Sequence, residues 1–345
     1  MPREIRVGFW GIGAMGKGMV RCVSRKPGMR IVSAIVPAGH GEGADLGRLA
    51  GLPEDMGVTC MADVGRALDE GKPDVVLHAT ASFVREVYPQ ITELLKRGIN
   101  VISIAEEMSF PYIREPELAR SLDELAKQNG ATVLGTGINP GFVLDTLIIA
   151  LTGICQDVRM IKAARINDLS PFGPTVMKTQ GVGTTPEEFE RGLEDGSIVG
   201  HVGFPESISL IARAVGWEID EIRQSREPII SKTYRETPHA RVEPGMVAGC
   251  RHTAMGLKKG EPLITLEHPQ QILPHLDGVD TGDYIQIEGT PPVNLTIKPE
   301  IPGGTGTVAI ACNMIPVVID APPGLATMAD LPVPRAILGQ WRKGD

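Results

Sequence analysis

Apolar and polar positions alternate in two ways along this chain, and the change comes near residue 137. Before it, short runs rich in apolar and β-branched residues recur at 4–10 (EIRVGFW), 31–36 (IVSAIV), 57–61 (GVTCM), 74–80 (DVVLHAT), 100–105 (NVISIA) and 131–137 (ATVLGTG). Each is short for a helix, which reads as a strand buried on both faces. Between them lie stretches with helical spacing, at 14–25, 84–98 (VREVYPQITELLKRG) and 115–130 (EPELARSLDELAKQNG). The last has Pro early, Glu in its first turn and Gly at its end, which are helix start and stop signals. Strand–helix alternation of this kind predicts an α/β unit with a doubly wound parallel sheet.

After residue 140 the pattern changes. An apolar helix is predicted over 141–153 (GFVLDTLIIALTG). Longer strands joined by turns follow at 158–168, 227–233, 246–257, 261–268, 283–289 and 293–299, with helices inserted at 186–196 and 205–216. Turn-linked strands imply a mostly antiparallel sheet in a second, α+β unit. A late helix over 305–321 is broken near Pro316. The expected division is 1–140, 141–304 and 305–345, with the last segment returning to the first unit.

Composition narrows the partners. A chain of 345 residues is too long for one small core. The net charge of −8, with no basic tail, argues against a nucleic-acid partner. No apolar run reaches the ~18–20 residues needed to cross a bilayer, and the N-terminus lacks the parts of a signal peptide. Five cysteines (Cys22, Cys60, Cys155, Cys250, Cys312) are odd in number and have no metal-ligand spacing. They read as reduced thiols of a cytoplasmic protein. His239, His252, His268 and His275 fit no ligand motif, so no metal is expected.

The first candidate chemistry lies at Gly11-Ile12-Gly13-Ala14-Met15-Gly16. This GxGxxG follows a strand and opens a helix, the context of a Rossmann dinucleotide site. Gly11 permits the tight turn, Gly13 lets backbone amides approach a pyrophosphate, and Gly16 lets helix and strand pack closely. The carboxylate that usually holds the adenosine ribose is expected about 20 residues later. That position falls at Val36, in a loop with neither an acid nor an arginine, so NAD and NADP remain equally open. Ligands in such folds lie beyond the strand ends. There Ala79, Thr80 and Ala81 are small enough for a nicotinamide ring to lie close, while His78 reads as a core histidine. Asn139, just before a predicted helix, either caps that helix or presents its amide to a ligand.

The fifth strand ends in Glu106-Glu107-Met108. A dinucleotide half followed by a sheet-rich half resembles the superfamily of dihydrodipicolinate reductases and sugar or inositol oxidoreductases. Many sugar members end this strand with Glu-Lys-Pro, whose lysine handles a hydroxyl proton, and Glu107 stands where that lysine would be. An amine that gives up hydride becomes a cationic iminium, which suits a carboxylate rather than an ammonium. The carboxylate can also accept the proton that the substrate ammonium must first lose.

The strings ISIAEEM, LGTGINPGFVLDTLIIALTG, ARINDLSPFGPTVMKTQGVGTT, GHVGFPESI, YRETPHARVEPGMVAGCRH and PEIPGGTGTVA are similar to those of 2,4-diaminopentanoate dehydrogenases. Native amine dehydrogenases share that scaffold. The resemblance implies oxidative deamination at C4 of 2,4-diaminopentanoate, giving 2-amino-4-oxopentanoate, ammonia and reduced cofactor. The alternative it leaves is an amine dehydrogenase acting on small ketones or aldehydes without a carboxylate. It places the catalytic glutamate at Glu107 or its neighbour Glu106, and it suggests a homodimer. In the second unit, Arg165 and Asn167 share one strand face. Arg165 either forks onto a substrate carboxylate or forms a structural ion pair. Phe172 is expected to wall the pocket. His201 either meets substrate or sits on a surface loop, and Thr307 either faces a ligand or caps a helix.

Overall fold

The computed structural model describes residues 4–339. The first stretch of chain runs β1 (Ile5–Trp10), α1 (Ala14–Val23), β2 (Met29–Ile35), α2 (Leu46–Leu49), β3 (Cys60–Met61), α3 (Val64–Gly71), β4 (Val75–His78), α4 (Val84–Lys96), β5 (Asn100–Ser103), α5 (Pro116–Gln128) and β6 (Thr132–Gly135). There follow α6 (Thr146–Thr152), β7 (Asp157–Asp168), α7 (Pro174–Thr179), α8 (Pro186–Asp195), α9 (Phe204–Val215), β8 (Glu221–Ile230) and the short pair β9 (Arg235–Glu236) and β10 (Arg241–Val242). The chain ends with β11 (Val247–Lys258), β12 (Glu261–Gln271), β13 (Gly282–Thr290), β14 (Val293–Ile297), α10 (Gly303–Asn313), α11 (Ile315–Asp320) and β15 (Gly324–Ala326). Two compact units result, one of residues 1–142 with 302–345 and one of residues 143–301.

The first unit holds a seven-stranded sheet in the order β15-β6-β5-β4-β1-β2-β3, and every pairing in it is parallel. Successive side chains point to opposite faces. Leu77 therefore joins a core with Met19 of α1, Ile310 of α10 and Val318 of α11, while Val76 joins one with Leu68, Leu94 and Leu122 of α3–α5. Helices on both faces explain why these strands are apolar throughout. The chain order reverses between β1 and β4, and in such sheets the ligand crevice lies at that reversal.

The late helix is broken close to the expected place, dividing at Met314 into α10 and α11. The expectation that no apolar run is long enough to cross a bilayer is corrected here, because Gly303–Asp320 spans 18 residues with mean hydropathy 1.3. Ile310, Met314, Ile315 and Val318 lie in the core of the first unit, so burial against the sheet accounts for their hydrophobicity.

The second unit is built on a sheet ordered β14-β13-β7-β12-β11-β8. Its pairings are antiparallel except β12 with β7. α9 packs on β11 and β12, where Gly256 leaves room for Ile208. β8 begins six residues before its predicted start because its solvent-facing positions are charged, which masks the strand pattern. The helix predicted from 141 starts only at Thr146, where the Asp145 carboxylate accepts the Thr146 amide.

Candidate active site

The end of β1 is shaped for a dinucleotide. Gly11 has φ +95°, and a Cβ there would fall 2.3 Å from the Ala79 carbonyl oxygen, so only glycine allows the β1 and β4 ends to approach. At Gly16 a Cβ would fall 2.0 Å from the Gly11 carbonyl oxygen, which sets how closely α1 starts against β1. A Cβ at Gly13 would meet nothing within 4 Å. Gly13 and Ala14 are exposed, and α1 has neither a side-chain cap nor an acid in its first turn. Its free amides and positive dipole end therefore face open space that fits a pyrophosphate. Ile12 is buried in the core, and Met15 is half-buried.

Two of the expected cofactor contacts are changed by their surroundings. The Val36 side chain is buried in the core, with its amide on the Met61 carbonyl. Only its backbone is available to an adenosine, because a β-branched residue at the end of a doubly covered strand turns inward. Thr80 is exposed, and its hydroxyl bonds Gln90 at 2.6 Å, which also bonds His78 Nε2 at 2.6 Å. Burial lowers the His78 pKa to about 4, as suits a core histidine. Ala79 and Ala81 are half-buried and leave a small-residue margin beside the glycine turn.

The adjacent glutamates differ in environment. They open a one-turn 3-10 helix, Glu106–Ser109, directly after β5. Glu107 is tied to α4: its Oε2 accepts the Val84 amide at 2.9 Å, and its own amide bonds the Ser82 carbonyl at 3.1 Å. It thus serves as a cap for a helix whose N-cap residue, Phe83, has no side chain to offer. Glu106 is buried enough that desolvation raises its pKa above the ordinary 4.5, and the negative charge of Glu107 adds to the shift. A hydrogen bond from the Ser82 side chain opposes it.

The turn itself depends on Gly135. A Cβ there would fall 1.9 Å from the Met108 carbonyl oxygen, so β6 must present no side chain for the glutamate turn to lie across it. Gly135→Ala is expected to displace the turn at a cost of about 1–3 kcal/mol. Turnover should fall at least ~10-fold, since the turn carries the candidate carboxylates and small misplacements of reacting groups are costly. A steady-state assay with a melting curve checks both. Sequence reading missed this glycine, whose signal is the small residue beside the acidic strand end.

Thr307 acts as a clamp. Its hydroxyl accepts the Ile138 amide at 3.1 Å, which ties α10 to the loop after β6 that carries Asn139 and a cis Asn139–Pro140 bond. Asn139 is half-buried with its side-chain oxygen sealed from solvent.

The second unit gathers polar groups on the covered face of its sheet. Register places Asp283 opposite Arg165, and His252 opposite both His268 and Arg226. Of the two readings open for Arg165, substrate fork or structural ion pair, the folded chain shows the ion pair. Its Nη1 donates to Asp283 at 2.5 Å, its Nη2 donates to the Ile301 carbonyl, and the pair is 3% and 1% exposed. A buried guanidinium needs such a counter-charge. Asn167 is buried with Oδ1 unbonded. His201 is not a surface residue at its functional end, because Nε2 is sealed from solvent and has no hydrogen-bond partner. Its ring stands edge-on to Phe204 at 4.7 Å and to His268 at 4.8 Å. His252 Nδ1 accepts the His201 amide at 3.0 Å, which puts the His252 proton on Nε2, facing Gln224 at 3.1 Å. Phe172 packs on a small core of Leu169, Met177, Val242 and Ile272.

Burial keeps these histidines neutral. It lowers His201 and His252 to about 3, with the charges of neighbouring His252 and Arg165 adding at His201 and that of Arg226 at His252. His268 lies well below the usual value of 6.5, again chiefly through burial. His201 is therefore neutral, not cationic, near pH 7. Depressed pKa values mean that stability is whole above 6.5 and is lost as pH falls toward the folded values. Each such histidine removes about 1.4 kcal/mol per pH unit. Urea midpoints should therefore fall steadily from pH 7 to pH 4, and a flat midpoint would contradict buried neutral imidazoles.

Comparison with known proteins accounts for this combination. Residues 142–344 match the family model described as the 2,4-diaminopentanoate dehydrogenase C-terminal domain. The 2,4-diaminopentanoate dehydrogenase of Acetoanaerobium sticklandii is 47% identical, over 98% of this chain and 96% of that one. The chain belongs to the 2,4-diaminopentanoate dehydrogenase family. Residues 5–103 match the model for the dihydrodipicolinate reductase N-terminus, in agreement with the glycine-rich turn. An amine dehydrogenase of Streptomyces virginiae is 28% identical over 97% of this chain and 98% of its own. The solved amine dehydrogenase of Mycobacterium smegmatis superposes with a TM-score of 0.84 at 28% identity, covering 96% and 97% of the two chains. Within the 2,4-diaminopentanoate dehydrogenase family, the glutamate turn on Gly135 and the buried histidine cluster are the features of this chain that need a chemical explanation.

Proposed function

We propose that the protein catalyses NAD(P)-dependent oxidative deamination at C4 of 2,4-diaminopentanoate, giving 2-amino-4-oxopentanoate and ammonia, and the reverse reductive amination. The observation that carries this reading is Glu106, a half-buried carboxyl whose desolvation raises its proton affinity, at a strand end of the dinucleotide-binding unit. Gly11, Gly13 and Gly16 with the first amides of α1 suit the pyrophosphate, and Ala79, Thr80 and Ala81 suit the nicotinamide. Bound NAD or NADP supplies the hydride acceptor. Glu106 takes a proton from the C4 ammonium and releases it to solvent, so that the free amine can release hydride. The carboxylate, negative again, stabilises the iminium, then takes a proton from the water that adds and returns it to the departing ammonia. Glu107 holds the turn in place through α4.

Asn167 and His201 are assigned to the polar end of the substrate, because each keeps a buried polar atom without a partner. Phe172 and Asn139 are assigned to the pocket, and Thr307 to positioning Asn139. A second reading is a simple amine without a carboxylate as natural substrate, which the charge balance of Arg165 by Asp283 favours. An absorbance assay at the reduced-nicotinamide band distinguishes them, using 2,4-diaminopentanoate, ornithine, lysine and alkyl amines with each cofactor. The first reading requires the diamino acid to have the highest kcat/KM. We also infer a cytoplasmic homodimer, joined through the sheet face that carries Lys162, Ala164 and Gln286. Light scattering on the purified protein would reveal a monomer if this is wrong.

A further inference from the structure

Cys22 and Cys312 form a thiol pair that the deamination chemistry does not use. Cys22 lies on α1 and Cys312 on α10, and the two helices pack together. Cys312 is fully buried, and its S–H donates to the Met19 carbonyl at 3.8 Å, three residues before Cys22 on α1. One turn before Cys22, a Cβ at Gly18 would fall 2.8 Å from Val308 of α10. Cys22 is only half-buried. It lines a cavity of about 710 Å³, together with Arg21, Arg25, Lys26 and Val308.

The environment of Cys22 differs from that of the other thiols. The hydrogen bond from Cys312 is the largest influence and lowers its pKa, with help from Lys26 and Arg25 and against burial, to about 6. Burial instead pushes Cys60 up to about 11 and Cys250 up to about 12. Cys22 thus has a lowered proton affinity, access from a cavity, flanking cations and a second thiol on the helix packed against its own. These are the features of a reactive cysteine with a resolving partner.

We propose that Cys22 and Cys312 are an oxidation-sensitive dithiol, in which hydroperoxides attack Cys22 and Cys312 resolves the product into a disulfide. The Cys22 thiolate displaces hydroxide from hydrogen peroxide and becomes a sulfenic acid. The Cys312 sulfur then attacks that sulfenic sulfur, forming the S–S bond and releasing water. The peroxide is reduced, the two thiols are oxidised, and added thiol reverses the change. The bond would tie α1, which opens with the glycine-rich turn, to α10, which carries Thr307.

The test treats the full-length protein with a slight excess of hydrogen peroxide and maps its peptides by mass spectrometry. The expected product is a Cys22–Cys312 cross-link, lost on dithiothreitol treatment. At pH 7, iodoacetamide should label Cys22 ~10-fold faster than Cys155. That advantage should shrink as pH falls through about 6. In Cys312→Ala, dimedone should trap a sulfenic acid at Cys22, and the Cys22 titration should move upward because its donor is gone. The wild-type mapping stands even if that variant folds poorly. An unreacted Cys22, labelling no faster than at Cys155, or oxidation of Cys22 to the sulfinic acid without a cross-link would overturn the proposal.

Discussion

Replacing Glu106 with Gln is expected to lower deamination of 2,4-diaminopentanoate by about 10³-fold or more while nicotinamide dinucleotides still bind. The variant loses both the proton acceptor and the negative charge opposite the iminium, each of which contributes orders of magnitude in rate. Glu107→Gln is the informative comparison. Its carboxylate bonds the first amide of α4, so its loss should cost about 0.5–2 kcal/mol of stability and leave turnover within about 10-fold. Equal losses of activity in both variants would defeat the division of labour.

Glu106 also carries a signature in stability. Its pKa is raised on folding, so between 4.5 and the folded value the native state holds a proton that the unfolded chain has released. Its contribution to stability is whole below 4.5 and is lost as pH rises through the folded value. Glu106→Gln should therefore melt above the wild type at pH 8, and the gap should close at pH 4. The pH dependence of wild-type deamination should rise through a group titrating above the ordinary carboxylate value.

The second large effect is at Arg165. Arg165→Ala leaves Asp283 buried and without its counter-charge, which should cost about 3–5 kcal/mol. Most of that loss should return in the double variant Arg165→Ala/Asp283→Ala, because no buried charge then stands alone. The expected outcome of the double variant is near-normal melting and recovered turnover of both 2,4-diaminopentanoate and a simple alkyl amine, because Arg165 then only holds the second sheet together. A persistent deficit confined to 2,4-diaminopentanoate would mean that the guanidinium also serves the substrate carboxylate.

Much was legible in one dimension because short-range rules govern it. The parallel sheet follows from doubly covered strands that must be apolar throughout, and the dinucleotide turn from three glycines whose spacing serves backbone contacts. The mostly antiparallel second sheet follows from strands joined by turns. β15 was not legible, since three residues beside prolines carry no periodicity and become a strand only by pairing with β6. Nor was the start of β8, where exposed charges hide the alternation.

The paired glutamates mark the limit. Sequence alone placed carboxylates at the end of β5 and favoured Glu107 by its alignment with a lysine. Only the folded chain brings Val84 and Ser82 to them, giving one carboxylate a helix amide to bond and the other a desolvated setting. The same holds for Arg165 and Asp283, which are 118 residues apart. Local sequence determines backbone conformation and which face of an element is apolar. Proton affinity and charge balance depend on desolvation and on partners distant along the chain, which packing alone brings together.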